Sequence, residues 1–513
     1  MRIPRSGGGP SAAREWALVA AMLTVAGLPA LLFALALVIG IAAMDGPWGA
    51  LAGPVALAGA GIVRGAAERG RLPGRAVRPA DEPELAGLVR GVAERLGFRE
   101  PLLVRVVPEV QASLGRVKTD GVRCRVLVLG LPLLRALTEA QLAAVVAHEL
   151  AHENHVRDRR AASLLFSRSV LVDRLEGRFR PLAPMAAPLL RASQPLVWQA
   201  ETAADADAAR VAGTAATAEA LRRTAVLDAA FDGLGGMWWA ALARDGGYPA
   251  DFYDTLDTAL HDPWVARRSA RAAAEEEALD PYGADGHPPL APRVAALPPG
   301  VEPSAPYGAV PLVLRDAEAV ERWCVGQLAE AEDELGDGDT ERRPKKGGRR
   351  DRYDAPRPVR LLDLSPDRLH ELTDALGEGE DLLGLLRAAT GQESSGRAVA
   401  GALDAVADGS WPRLARRLDP SLRRVPAAAR PALSRGVLTD AVSVILATAL
   451  REAGWTRAGR WLGTVLTGPD GTVVDVHELV ADAVETGDPG SVRALASGTG
   501  TGRTGKGTEE VTV

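Results

Sequence analysis

The sequence predicts a mainly α-helical protein with a small β-sheet (α+β), carried on an N-terminal transmembrane hairpin. Three observations carry that reading. Long uncharged apolar segments stand near the N-terminus, and two short runs rich in Val and Leu precede long stretches with three- and four-residue apolar spacing. A charged linker then sets a second helical region apart. The 513 residues leave room for two or three domains. A net charge of -6 argues against nucleic acid as a partner, since such proteins carry a basic surplus. Cys124 and Cys324 are too few for a disulfide framework and read as reduced thiols.

Residues 1–15 form a basic arm and 16–64 the hairpin. Trp16 to Ala43 holds 28 residues without a charge, too long for the apolar part of a signal peptide and long enough to span a bilayer with some tilt. Trp48 to Val63 is again uncharged, though glycine-rich and short for a span. Arg2, Arg5 and Arg14 precede the first segment, and Arg64, Arg69 and Arg71 follow the second, while the turn between has no cation. The positive-inside rule then places both ends in the cytoplasm, as a multi-pass protein of the plasma membrane. A single span with a surface-lying second helix is the competing arrangement; it moves everything after residue 65 to the other side.

Residues 65–334 read as one domain. Leu85, Leu88, Val89, Val92 and Leu96 make an amphipathic helix over 81–97. LLVRVV from Leu102 and CRVLVLG from Cys124 are strands, a hairpin or close neighbours, separated by a turn at Asp120 and Gly121. Thr138 and Gln141 form a capping box that starts the next helix, whose stripe of Leu142, Val145, Val146 and Leu150 predicts burial. Helices continue to about residue 300. The stretch 335–358 has no apolar period and is a linker, 359–490 is a second helical domain with a hairpin at Pro469-Asp470-Gly471, and 491–513 is a disordered tail.

The chemistry concentrates in VVAHELAHENH, Val145 to His155, which holds three of the seven histidines. Residues four apart share a helix face, so His148 and His152 can ligate one ion while Glu149 reaches its water without ligating. Zinc lowers the pKa of a bound water towards 7, and a neighbouring carboxylate can take the proton as that water attacks an amide. A third ligand is required. His155 is one candidate; Glu201 in WQAETAADADAARVAG is the other and is favoured, because Asp205 one turn on can hold a ligating imidazole in register.

HELAH, then Glu201-Thr-Ala-Ala204-Asp205, then HPPLAPRVAAL from His287 to Leu297, in that order, resembles the membrane zinc metallopeptidases typified by the HtpX heat-shock protease and the CAAX prenyl protease. The likeness covers about residues 80–300. It implies a gluzincin fold holding one zinc per chain, His148, His152 and Glu201 as metal ligands, Glu149 as general base and His287 at the oxyanion. It further implies a metalloendopeptidase acting on protein or peptide substrates at the lipid bilayer, as in membrane-protein quality control. Two features depart from the pattern. No further span is legible between His155 and Gln199, and the substrate-edge motif is weak, its counterpart being Val110-Gln111-Ala112-Ser113-Leu114. The contrasting reading is a catalytically idle, metal-stabilised scaffold that recruits partners through 359–490.

Overall fold

The computed structural model describes residues 12–43, 72–119, 122–155, 159–176, 183–276, 287–339, 357–376, 379–423, 425, 427 and 429–498. The chain is mainly helical with small sheets. It divides into two compact units, one of residues 1–224 with 282–324, the other of 225–281 with 325–513. Residues 225–281, expected with the metal-bearing region, thus cluster with the C-terminal half.

In the first unit, helix α1 (Ala12–Ala43) takes in the first apolar segment. The second, Trp48 to Val63, lies outside the described residues, as does the turn before it. A four-stranded sheet follows, built from β1 (Arg75–Val77), β2 (Leu102–Val107), β3 (Ala112–Thr119) and β4 (Val122–Gly130). Its order is β1-β2-β4-β3, with β2 and β4 parallel and the other pairs antiparallel. The two strands expected from sequence are neighbours, but they are not the arms of one hairpin. β3 stands between them in the chain and forms the hairpin with β4. Central β4 is buried on both faces from Cys124 to Gly130, as its near-continuous apolar run requires.

Helix α2 (Pro83–Arg95) buries Leu85, Leu88, Val89 and Val92, the face its spacing predicts. A short α3 (Leu131–Ala136) leads into α4 (Glu139–His155), followed by α5 (Arg159–Glu176), α6 (Ala183–Ala212) and α7 (Thr214–Ala230). Met22, Val25 and Ala26 of α1 pack with Leu171 and Leu175 of α5 and with Ala186 and Leu190 of α6. Arg168 is buried in this bundle and donates to the Leu190 carbonyl and to Ser193 Oγ, both at 2.9 Å. Cys124 and Cys324 are buried free thiols.

The second unit has its core around the helix Arg430–Glu452, with Leu438 and Leu450 fully buried. This helix is long and apolar enough to cross a bilayer, but over half of its apolar window is inside the unit, the mark of a core helix. The expected hairpin is present as strands Val465–Thr467 and Val473–Asp475, turned at Gly471 with φ +81°. Two expectations need correction. The linker 335–358 is structured at both ends, because a helix continues through Asp339 and Arg357–Val359 pairs in parallel with Gly247–Pro249. The tail begins later than Ser491, because Gly490–Gly498 is a helix that plants Val492 fully in the core. Its Gly-rich composition conceals that single anchor.

Candidate metal centre

α4 is fixed at its start by the expected capping box. The Thr138 main-chain N–H donates to Gln141 Oε1 (3.0 Å), and the Gln141 N–H donates to Thr138 Oγ1 (3.3 Å). The first turn is held further by the segment around Gly308, whose N–H donates to the Glu139 carboxylate (2.7 Å), and by the Glu139 N–H donating to the Val310 carbonyl (2.9 Å). Leu142, Val146 and Leu150 are fully buried, while Val145 is only partly so. This core stripe fixes the helix rotation, and α4 packs along α6. Ala204 and Ala208 of α6 are fully buried, and small side chains there let two helices approach closely.

That packing brings the sequence-predicted residues together. His148 Nε2 lies 3.0 Å from His152 Nε2 and 3.4 Å from Glu201 Oε2, and His152 Nε2 lies 3.2 Å from Glu201 Oε1. Zinc bonds of about 2.0–2.2 Å in a tetrahedron separate neighbouring donors by about 3.3–3.5 Å, so two imidazoles and a carboxylate at these spacings fit one zinc ion. His287 Nδ1 lies 2.6 Å from Glu201 Oε2, and its ring is half exposed. The donor atoms of His148, Glu201 and His287 also fall within 4.8 Å of one another, making a second set that shares two members with the first. Asp205 is buried one turn after Glu201, with Oδ1 2.9 Å from His148 Nδ1. The His155 side chain lies outside the described residues.

Arg293 belongs to the same cluster, and the sequence reading gave it no role. Nε and Nη2 donate to the two Asp205 oxygens at 2.9 and 2.8 Å, and Nη2 lies 3.9 Å from Glu201. The planar fork matches the carboxylate, and the side chain is largely buried on the short helix Leu290–Ala296. A single charge inside the apolar run LAPRVAAL was the available signal, since a buried guanidinium needs a partner.

These contacts fix the protonation of the metal-free cluster. Burial alone would lower the His148 pKa, but hydrogen bonds to Asp205 and Glu201 outweigh it and raise the value to about 9. Burial and the neighbouring His148 cation push His152 down to about 4. Burial opposes ionisation of Glu201, yet hydrogen bonds from His148 and His287 hold its carboxyl well below the usual carboxylate range. Asp205, also working against burial, is held down at about 2 by His148 and Arg293. Burial pushes Glu149 up, and the partnership with Glu201 raises His287 against its own burial. In the metal-free cluster the two neighbouring carboxylates favour the protonated form of His148, whereas holding a metal would require that imidazole neutral.

The remaining histidines take structural partners. His370 Nε2 meets the Gly459 carbonyl at 3.1 Å, His477 Nε2 meets Asp440 Oδ1 at 3.1 Å, and His261 Nδ1 meets the Asp257 carbonyl at 2.6 Å.

Residues 79–299 match the family described as peptidase family M48, the family of the HtpX and CAAX prenyl proteases. The match covers somewhat less than half the chain and takes in every residue of the cluster. No curated protein and no solved structure matches the chain.

Proposed function

We propose, from the peptidase family M48 match over residues 79–299, that this chain is a membrane-anchored zinc metalloendopeptidase that hydrolyses peptide bonds of protein substrates. The observation that carries the reading is the spacing of His148, His152 and Glu201, at 3.0–3.4 Å between donor atoms. One zinc per chain fits there, and when bound it supplies a Lewis acid that polarises the scissile carbonyl and acidifies water. His148, His152 and Glu201 are its ligands. Asp205, clamped by Arg293, orients His148 through Nδ1.

Glu149 takes the proton of the attacking water and passes it to the leaving nitrogen. Its partly buried carboxyl, with a raised pKa, suits a group that must both accept and give a proton. His287, half exposed with Nδ1 against Glu201, donates to the oxyanion as the carbonyl becomes tetrahedral. Edge strand β3 offers main-chain groups to an extended substrate.

Membrane anchoring is supported by the uncharged run from Trp16 to Ala43 within α1. It is also supported by large apolar side chains on the outside of the bundle: Trp16 and Leu23 on α1, Phe166 on α5 and Met185 on α6. Both ends of the hairpin, and the catalytic residues with them, lie in the cytoplasm by the arginine distribution.

The test is zinc content together with cleavage of an unfolded protein by the detergent-purified chain and its Glu149→Gln variant. About one zinc in each, with cleavage by the parent alone, supports the proposal. A folded parent without zinc, or equal cleavage by the variant, removes it.

A further inference from the structure

The peptidase reading leaves open which substrates are preferred, and the β3–β4 hairpin bears on that choice. Among the described strands β3 pairs only with β4, so its outer edge is open to a further strand. Residues directly opposite in an antiparallel pair share a face. The register sets Arg116 opposite Arg125 and Lys118 opposite Arg123, which puts four cations on one face. Arg116 Nη2 donates to Glu153 of α4 at 2.8 Å, and Arg125 donates to the same carboxylate. This is therefore the face turned towards the metal-site helix, and Glu153 directly follows His152 in that helix.

Like charges set opposite one another are unfavourable unless neutralised, and the neutralisation here is uneven. Buried Arg125 also donates to Glu100 at 2.6 Å and is held between two carboxylates. Arg116 is 62% exposed and shares Glu153 with it. Lys118 and Arg123 are exposed and have no ion-pair partner among the described residues. Among the described residues two carboxylates face four cations, and the surplus lies at the Thr119–Val122 end of the hairpin, with Lys118 on the edge strand itself.

We propose that Arg116, Lys118 and Arg123 form a subsite for acidic side chains of the protein substrate; this rests on the peptidase reading and adds a substrate class to it. A substrate strand added to β3 puts alternate side chains on the cationic face. Asp or Glu in register with Arg116 and Lys118 makes the opposite-charge cross-strand pairs that β4 does not provide. Arg116 and Lys118 are two residues apart, so the preferred segment carries two acidic residues separated by one.

The test uses full-length protein in neutral detergent and matched fluorescent peptides carrying Asp-x-Asp, Asn-x-Asn or Lys-x-Lys. Binding is read by anisotropy on the Glu149→Gln variant, and kcat/KM on the parent. The expected preference for Asp-x-Asp over Asn-x-Asn is about threefold to tenfold at low salt, carried by KM and weakened at high salt. Lys118→Glu, which breaks no described ion pair, is expected to turn the preference towards Lys-x-Lys. Equal binding of the three peptides overturns the subsite. So does an unchanged preference in Lys118→Glu, including the case where that variant loses affinity only for anionic-lipid vesicles. Discrimination in binding without cleavage of any peptide would sustain the subsite and count against the peptidase reading alone.

Discussion

Glu201→Gln removes the one anionic member of the proposed ligand set while keeping its shape. The Glu201 carboxylate is the hub of the cluster, 3.4 and 3.2 Å from the two Nε2 atoms of α4 and 2.6 Å from His287. Zinc sites bind with about 10–16 kcal/mol, so an even share among three ligands is about 3–5 kcal/mol. That corresponds to a loss of about two to four orders of magnitude in zinc affinity. Asp205→Asn touches no metal donor position directly but weakens the hold on His148 and the Arg293 clamp, and is expected to cost about 10- to 100-fold, as supporting partners of metal ligands do. His155→Gln is expected to cost least. The assay is competition for zinc against a chromophoric chelator, with a melting curve to show that each variant is folded. A folded Glu201→Gln variant within about threefold of the parent's affinity, where a single lost ligand should cost orders of magnitude, would refute the assignment. So would His287→Gln costing more than His152→Gln, which would place the ligand at His287 and leave His152 outside the coordination.

Three further outcomes are expected. Glu149→Gln keeps zinc and loses proteolysis by several orders of magnitude, since the general base is removed and the ligands are not; proteolysis within tenfold of the parent would take that role from Glu149. Arg293→Met leaves Asp205 buried without its cation and is expected to weaken zinc by about 10- to 100-fold and to lower the melting temperature; unchanged affinity would reduce the Arg293–Asp205 pair to scaffolding. The third concerns pH. In the chelator-treated protein, His148 has its pKa raised to about 9, so its contribution is complete below its ordinary value of 6.5 and is lost as pH rises through about 9. His152, lowered to about 4, works the other way, losing stability as pH falls from 6.5 towards 4, and the depressed carboxylates lose theirs at still lower pH. The metal-free melting temperature should therefore peak near pH 6.5, and zinc should reduce the alkaline decline, to which the raised His287 also contributes, by displacing the His148 proton. A flat metal-free profile from pH 6.5 to 10 would contradict the His148 assignment.

Much of the fold and half of the site could be read in short windows. Leu85 to Val92 spelled out the buried face of α2, and Thr138 with Gln141 marked the start of α4 to the residue. β3 escaped because ASLGRVKT sets Leu114 and Val117 on opposite faces, so an edge strand of mixed polarity shows no alternation. The helix Gly490–Gly498 escaped because glycine and serine mask one buried valine.

The sequence by itself determined that His148, Glu149 and His152 sit together, because the 3.6-residue period of a helix fixes which residues share a face. It also put Asp205 one turn after Glu201 for the same reason. Only the tertiary structure decided that Glu201 closes on both histidines, that His287 reaches Glu201 across 86 residues, and that Arg293 clamps Asp205 across 88. Those contacts depend on how α4, α6 and the helix Leu290–Ala296 pack as whole bodies. Packing of that kind is set by side-chain volumes and buried charges spread along the chain, and no local window contains them.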